Sequence, residues 1–200
     1  MSGFEIHQEP DYAYRMFLPV APAMTFDVGD PVRIVTNQLA DTIDDQTELL
    51  VGECVGFACE PAEGTTAGSR ATAAADGFGV VEGQVRTYWP FNAPGLLLRT
   101  RNFVLAADFF TQVEKDYTEI GDDFNIKGQT GTNVWGVEEE APTYATGAGT
   151  VIATDSLAVL VVAVLDNDMN PLATDATQTA GDGWLVFKPI GYSQIEFGGA

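Results

Sequence analysis

Two hundred residues suit one domain or two small β lobes, and 46% hydrophobic residues, with 12 Phe, 6 Tyr and 3 Trp, can build a packed core, which excludes a disordered acidic chain. Twenty-nine Asp and Glu against nine Lys and Arg give a net charge of −20, which repels phosphate backbones and anionic headgroups and argues against nucleic acid or a membrane as partner. The same acidity also reads as a well-solvated surface, for example in salty water.

Residues 1–24 read as an extended arm. MSGFEIHQEPDYAY has acids where a secretory signal needs a basic end followed by an apolar run. In FLPVAPAM, Pro19 and Pro22 block a helix and favour extended geometry. Such an arm lies along its own domain or reaches onto a neighbouring subunit. Its apolar residues Phe17, Leu18, Val20 and Met24, which a solvated tail does not need, predict that it orders on assembly. His7 is the only histidine and is expected to be exposed, so a multi-histidine zinc site or a Ser-His-Asp arrangement has little support.

Three strand-like runs follow. In TFDVGDPVRIV, residues Phe26, Val28, Val32 and Ile34 share one parity. In LLVGECVGFAC, residues Leu49, Val51, Val55, Phe57 and Cys59 share one face and the small set Gly52, Cys54, Gly56 and Ala58 the other, which predicts close packing. Cys54 and Cys59 then point to opposite faces, as buried thiols that cannot pair. In VVEGQVRTYWPF, residues Val81, Val85, Trp89 and Phe91 alternate with Glu82, Gln84 and Arg86. Between the runs, LADTIDDQTE admits a short helical turn near Asp41, and Pro61 to Gly77 reads as a long loop.

From Asn102 to Tyr117, the four-residue spacing of Leu105, Phe109 and Val113 predicts a helix over Val104 to Lys115, with a strand as the competing reading. Asp122 to Thr150 is rich in Gly, Thr and acids, and Glu138, Glu139 and Glu140 read as a solvated run. Thr150 to Leu165 carries β-branched residues on both parities, as a central strand covered on both faces does. Its apolar stretch Leu157 to Leu165 is far short of the ~20 residues of a membrane-spanning helix. In DNDMNP, Asp166, Asp168 and Asn170 place oxygens at alternate positions, as a hard cation requires. Pro171 and Thr177 break the helix-loop-helix calcium pattern, and a plain turn is the favoured reading. GWLVFKPIGY and SQIEF supply closing strands.

No nucleophile-elbow or phosphate-loop motif occurs, GFGVVEG fails the dinucleotide spacing, and acids are too numerous for a carboxylate pair to be diagnostic. Arg86, Arg99 and Arg101 stand near Tyr88, Trp89, Phe91 and Phe103, a combination that interface centres favour. The competing reading puts Trp89 and Phe91 in the core and has the arginines neutralise acids. The fold expected is all-β, with the arm 1–24, a β lobe over 25–102, a second lobe or a continuation of the first over 103–200, and at most one substantial helix.

The runs VGDPVRIV, LLVGECVGFACEPAEGTTAG and VVEGQVRTYW resemble the accessory head proteins of tailed bacteriophages, the capsid decoration or cement proteins. The matching positions are Gly29, Asp30 and Val32, then Val51, Gly52, Val55, Gly56, Phe57 and Ala58. The resemblance implies one or two small β-barrel or sandwich lobes of β-tulip-like form, without catalysis, cofactor or metal. It implies a homotrimer made in the host cytoplasm that binds the major capsid protein on the outer surface of the virion, with no nucleic acid or membrane partner. Phe17, Leu18, Val20, Met24, Arg86, Arg99 and Arg101 are the expected contact residues. The alternatives are a carbohydrate- or receptor-binding β module of a phage fibre or cell surface, stacking Tyr88 and Trp135 on sugars, and a two-carboxylate hydrolase with no residue singled out.

Overall fold

The computed structural model describes residues 3–21, 24–42, 54–62, 85–105, 108–129, 134–139 and 158–190. In chain order the strands are β1 (Glu5–Gln8), β2 (Met16–Pro19), β3 (Pro31–Val35), β4 (Gln38–Asp41), β5 (Gly56–Ala58), β6 (Val85–Pro90), β7 (Leu97–Thr100), β8 (Phe103–Leu105), β9 (Asp108–Gln112), β10 (Lys115–Asp116), β11 (Asp123–Gln129), β12 (Val134–Glu138), β13 (Ala158–Leu165), β14 (Thr177–Gln178) and β15 (Trp184–Pro189). Two single-turn 3-10 segments, Tyr12–Tyr14 and Tyr117–Glu119, are the only helical pieces among the described residues. The all-β expectation holds.

A five-stranded antiparallel sheet has the order β2-β6-β5-β3-β4. Thr36 and Asn37 both have positive φ, 50° and 62°, so β3 and β4 join through a tight turn whose twist matches the strands. The sheet curls until the chain leaving β2 meets its far edge, where Val20 bridges Leu39 and the Ala21 N–H donates to the Leu39 carbonyl at 2.8 Å. That contact is a single bridge rather than a ladder, and no barrel closes. Inside the curl sit Val20, Phe26, Val32, Leu39, Ala58, Ala62 and Tyr88.

The larger sheet has eight strands in the order β1-β7-β15-β13-β11-β12-β8-β9, antiparallel except for β12 against β8. β13 lies in its middle, where a run apolar on both parities belongs. The two sheets share one core. Cys54, Phe57 and Trp89 of the small sheet's outer face meet Leu98, Ile126, Trp135, Val137, Val159, Val161, Leu185 and Phe187 of the large sheet. The chain passes from one sheet to the other between Pro90 and Leu97, upstream of the expected division at 102.

The expected helix over Val104 to Lys115 does not form. The segment makes β8, β9 and the first residue of β10, because Phe103 pairs with Val137 and its ring meets Phe124 edge-on at 5.3 Å. The Val113 N–H is taken by the Phe103 carbonyl at 2.7 Å, so sheet pairing overrides the four-residue spacing. Alternation is also imperfect at strand ends. Phe26 and Val32 are buried, but Val28 precedes β3 and Ile34 nears its end, and both are exposed, as is Val85 at the start of β6.

Residues 3–21 take the first of the two courses open to an arm, along their own body. β1 is one edge of the large sheet and β2 one edge of the small, so the segment ties the sheets together. Phe4 is 2% exposed, edge-on to Phe187 at 5.1 Å. Gly29, at φ 91°, is where this segment crosses the small sheet, and a Cβ there would stand 2.2 Å from the Phe4 carbonyl oxygen. Gly56 meets β6 as closely, since a Cβ would lie 2.0 Å from the Trp89 carbonyl oxygen. Gly29 and Gly56, two of the positions that carry the resemblance, are therefore set by backbone approach. The helical turn expected after Asp41 falls mostly outside the described residues, as do Val51, Gly52, the loop beyond Ala62, Val81 to Gln84, Glu140 to Leu157 and SQIEF.

Candidate contact surface

Large apolar side chains stand exposed along one edge of the small sheet. Asp11 accepts from the Ala13 N–H at 2.9 Å and so starts the 3-10 turn that holds Tyr12 and Tyr14 outward. Phe17 on β2 and Val85 on β6 are exposed on one face of the sheet, Phe17 at 53%, and Met16 is exposed on the other. Among the described residues β2 forms a ladder only with β6, and its other side faces β4, which the chain meets just past β2 through the Val20–Leu39 bridge. The Arg15 guanidinium lies 4.7 Å from the Trp89 ring centroid and 5.0 Å from that of Tyr12, and pairs with Glu9 at 3.3 Å.

The seven expected contact residues separate. Phe17 is on this surface. Val20 is in the core of the curl and has no area for a partner, a correction whose cause is parity: Leu18 and Val20 face inward with Tyr88. Leu18 and Met24 are half-buried against the same core. Arg86 belongs to the small sheet, where its side chain donates to the Pro61 carbonyl at 2.7 Å. Arg99 and Arg101 lie across the sheet crossing, and sequence closeness to Arg86 did not translate into one patch.

Arg99 and Arg101 instead converge on Trp184, 4.7 and 4.4 Å from its ring. Arg99 is neutralised by Glu5 at 2.7 Å, while Arg101 donates to the Asn167 side-chain oxygen at 2.8 Å. Among the described residues no carboxylate lies within ion-pair distance of Arg101. His7 is exposed; partial burial, then Arg99, holds its imidazole below the ordinary range. Nearby, the buried Lys115 ammonium donates to the Asp182 carbonyl at 2.8 Å, and burial pushes its pKa down to about 8. Trp184 and Tyr12 were not legible as surface organisers, because one is set by pairing across the large sheet and the other by a one-turn helix.

The DNDMNP turn is a turn. Asp166 Oδ1 accepts from the Asp168 and Asn170 N–H groups at 2.9 and 2.8 Å, and those bonds, chiefly the one from Asn170, hold its carboxyl below the usual range. Among the described residues no group of three or more His, Cys, Asp or Glu is placed to hold a metal. Glu138, expected in a solvated run, is buried against Lys127, and Glu139 is exposed. Cys54 and Cys59 are unpaired, and burial raises their thiols to about 12 and about 11, which makes them poor nucleophiles. Tyr88 and Trp135, the aromatics expected to stack on sugars, are 5% and 2% exposed and belong to the cores. No helix among the described residues is long and apolar enough to cross a membrane. Comparison with family models, with curated proteins and with solved structures finds no match to this chain.

Proposed function

We propose that the protein is a non-enzymatic structural component of a bacteriophage virion, a decoration protein that binds the outer surface of the icosahedral head, as a homotrimer on the major capsid protein, and stabilises the shell. The observation that carries the reading is the apolar surface around the edge strand β2, where Tyr12, Tyr14, Phe17 and Val85 stand exposed, on a chain of net charge −20. Exposed large apolar side chains gathered on one surface mark an interaction site, so they support a partner that docks there. The acidity supports an outer position, away from packaged DNA, and keeps particles dispersed. Small contacts repeated over a trimer add up through effective concentration. Arg101, with a guanidinium unmatched by carboxylate among the described residues, is a secondary contact on the opposite sheet.

The test is co-sedimentation with shells assembled from the major capsid protein encoded in the same genome. Phe17→Ser leaves the fold intact and weakens attachment by about tenfold per contact, the scale of one exposed aromatic anchor. Arg101→Ala has a smaller effect. Equal occupancy by wild type and Phe17→Ser would remove the β2 edge from the interface.

A further inference from the structure

Three polar side chains are buried together on the face of the large sheet that turns away from the shared core. Asn125 and Lys127 are alternate residues of β11, and Asn125 stands opposite Glu138 of β12. Their exposures are 0%, 8% and 1%. Lys127 is opposite Gly136, which has no side chain, and this lets the lysine lean diagonally onto Glu138. Its Nζ reaches Glu138 Oε2 at 2.8 Å, an ion-pair contact off the hydrogen-bond direction. Asn125 Nδ2 donates to Oε1 of the same carboxylate at 3.2 Å, and Asn125 Oδ1, buried, accepts no hydrogen bond from the described residues. One carboxylate thus touches both an amine and a primary amide, with the amide carbonyl unpartnered beside them.

We propose that this triad closes an amide bond between Lys127 Nζ and Asn125 Cγ, with Glu138 as the catalytic proton carrier. In the first step the lysine ammonium hands a proton to Glu138 Oε2, 2.8 Å away, leaving an amine free to attack. Turning the Asn125 amide over brings Oδ1 to the Glu138 hydroxyl, which polarises the carbonyl. The Nζ lone pair attacks Cγ, and Glu138 protonates the oxygen while taking one proton from the nitrogen. Glu138 next protonates Nδ2, the Cγ–Nδ2 bond breaks, and the hydroxyl proton returns to Glu138 as the carbonyl re-forms. The Nζ–Cγ bond is made, one ammonia leaves, and Glu138 keeps the proton that came from the lysine ammonium. No oxidant, metal or second substrate enters. The product replaces a buried ion pair with a neutral amide closing a small ring on β11, and the inference does not depend on shell binding.

Intact mass of the denatured wild-type protein tests it directly. The expected mass is lower than that of the sequence by one ammonia, about 17 Da, and trypsin fails to cut after Lys127 because its amine is acylated. Fragment spectra place the link between Asn125 and Lys127. Glu138→Gln and Asn125→Ala restore the full mass and the cut; Asn125→Ala keeps the Lys127–Glu138 pair, and decides the point even where Glu138→Gln fails to fold. A wild-type chain of full mass cut after Lys127 overturns the proposal. So does an ammonia loss that maps elsewhere or persists in Asn125→Ala.

Discussion

Phe4→Ala is expected to destabilise the protein by about 3–5 kcal/mol, the range for deleting a fully buried aromatic ring. Phe4 contributes to the core shared by the sheets, edge-on to Phe187 at 5.1 Å and 6.3 Å from Phe57. Its carbonyl also abuts Gly29, where the N-terminal segment crosses the small sheet. Removing the ring opens a cavity between the two sheets and loosens the edge strand β1, which follows it directly in sequence. Urea unfolding of the isolated protein measures the effect. A loss under about 1 kcal/mol, the level of ordinary surface changes, would mean that residues 3–21 are an accessory arm after all.

Asp30→Asn is expected to stabilise the protein at pH 8 and to do little at pH 4. Asp30 is 3% exposed, accepts from the Asp27 N–H at 2.8 Å and lies near the Asp27 and Asp41 carboxylates. Burial above all raises its pKa from 3.8 to about 7, with Asp27 and Asp41 adding to the rise. The folded state therefore holds a proton that the unfolded chain releases. This contribution to stability is fully present below the unfolded pKa, is lost as pH rises between 3.8 and about 7, and stays lost above that. A shift of about three units at ~1.4 kcal/mol each sets an upper bound of about 4 kcal/mol on the gain at pH 8. Asparagine retains an acceptor for the Asp27 N–H and carries no charge. Unfolding of both proteins at pH 4 and pH 8 isolates this residue from the other acids, and parallel pH profiles would refute the assignment.

The strand alternation was legible where burial is local. Phe26, Val32, Phe57 and Trp89 read correctly as inward, and β13 as a strand covered on both faces. Parity alone does not say which core a face meets. Trp89 and Phe57 join the core shared by the sheets, and Tyr88 and Ala58 the inside of the curl, because β5 and β6 are covered on both sides. The spacing of Leu105, Phe109 and Val113 misled because β8 pairs with β12, a partner more than thirty residues away in sequence. Of the seven expected contact residues, Phe17 is the large apolar side chain that stands exposed. Arg86, Arg99 and Arg101 are close in the chain, yet the crossing after Pro90 carries the last two to another sheet, where β15 supplies the tryptophan they share. Glu138 read as solvated because its partner Lys127 is supplied by strand pairing.

The proposed role on the head is tested most directly by the temperature at which DNA-filled heads, stripped of this protein, release their DNA with and without it added back. Release is predicted to shift upward with occupancy when wild-type protein is added, and to shift far less with Phe17→Ser at the same concentration. Heads that bind the protein without any shift, or that do not bind it, would contradict a stabilising role on the shell.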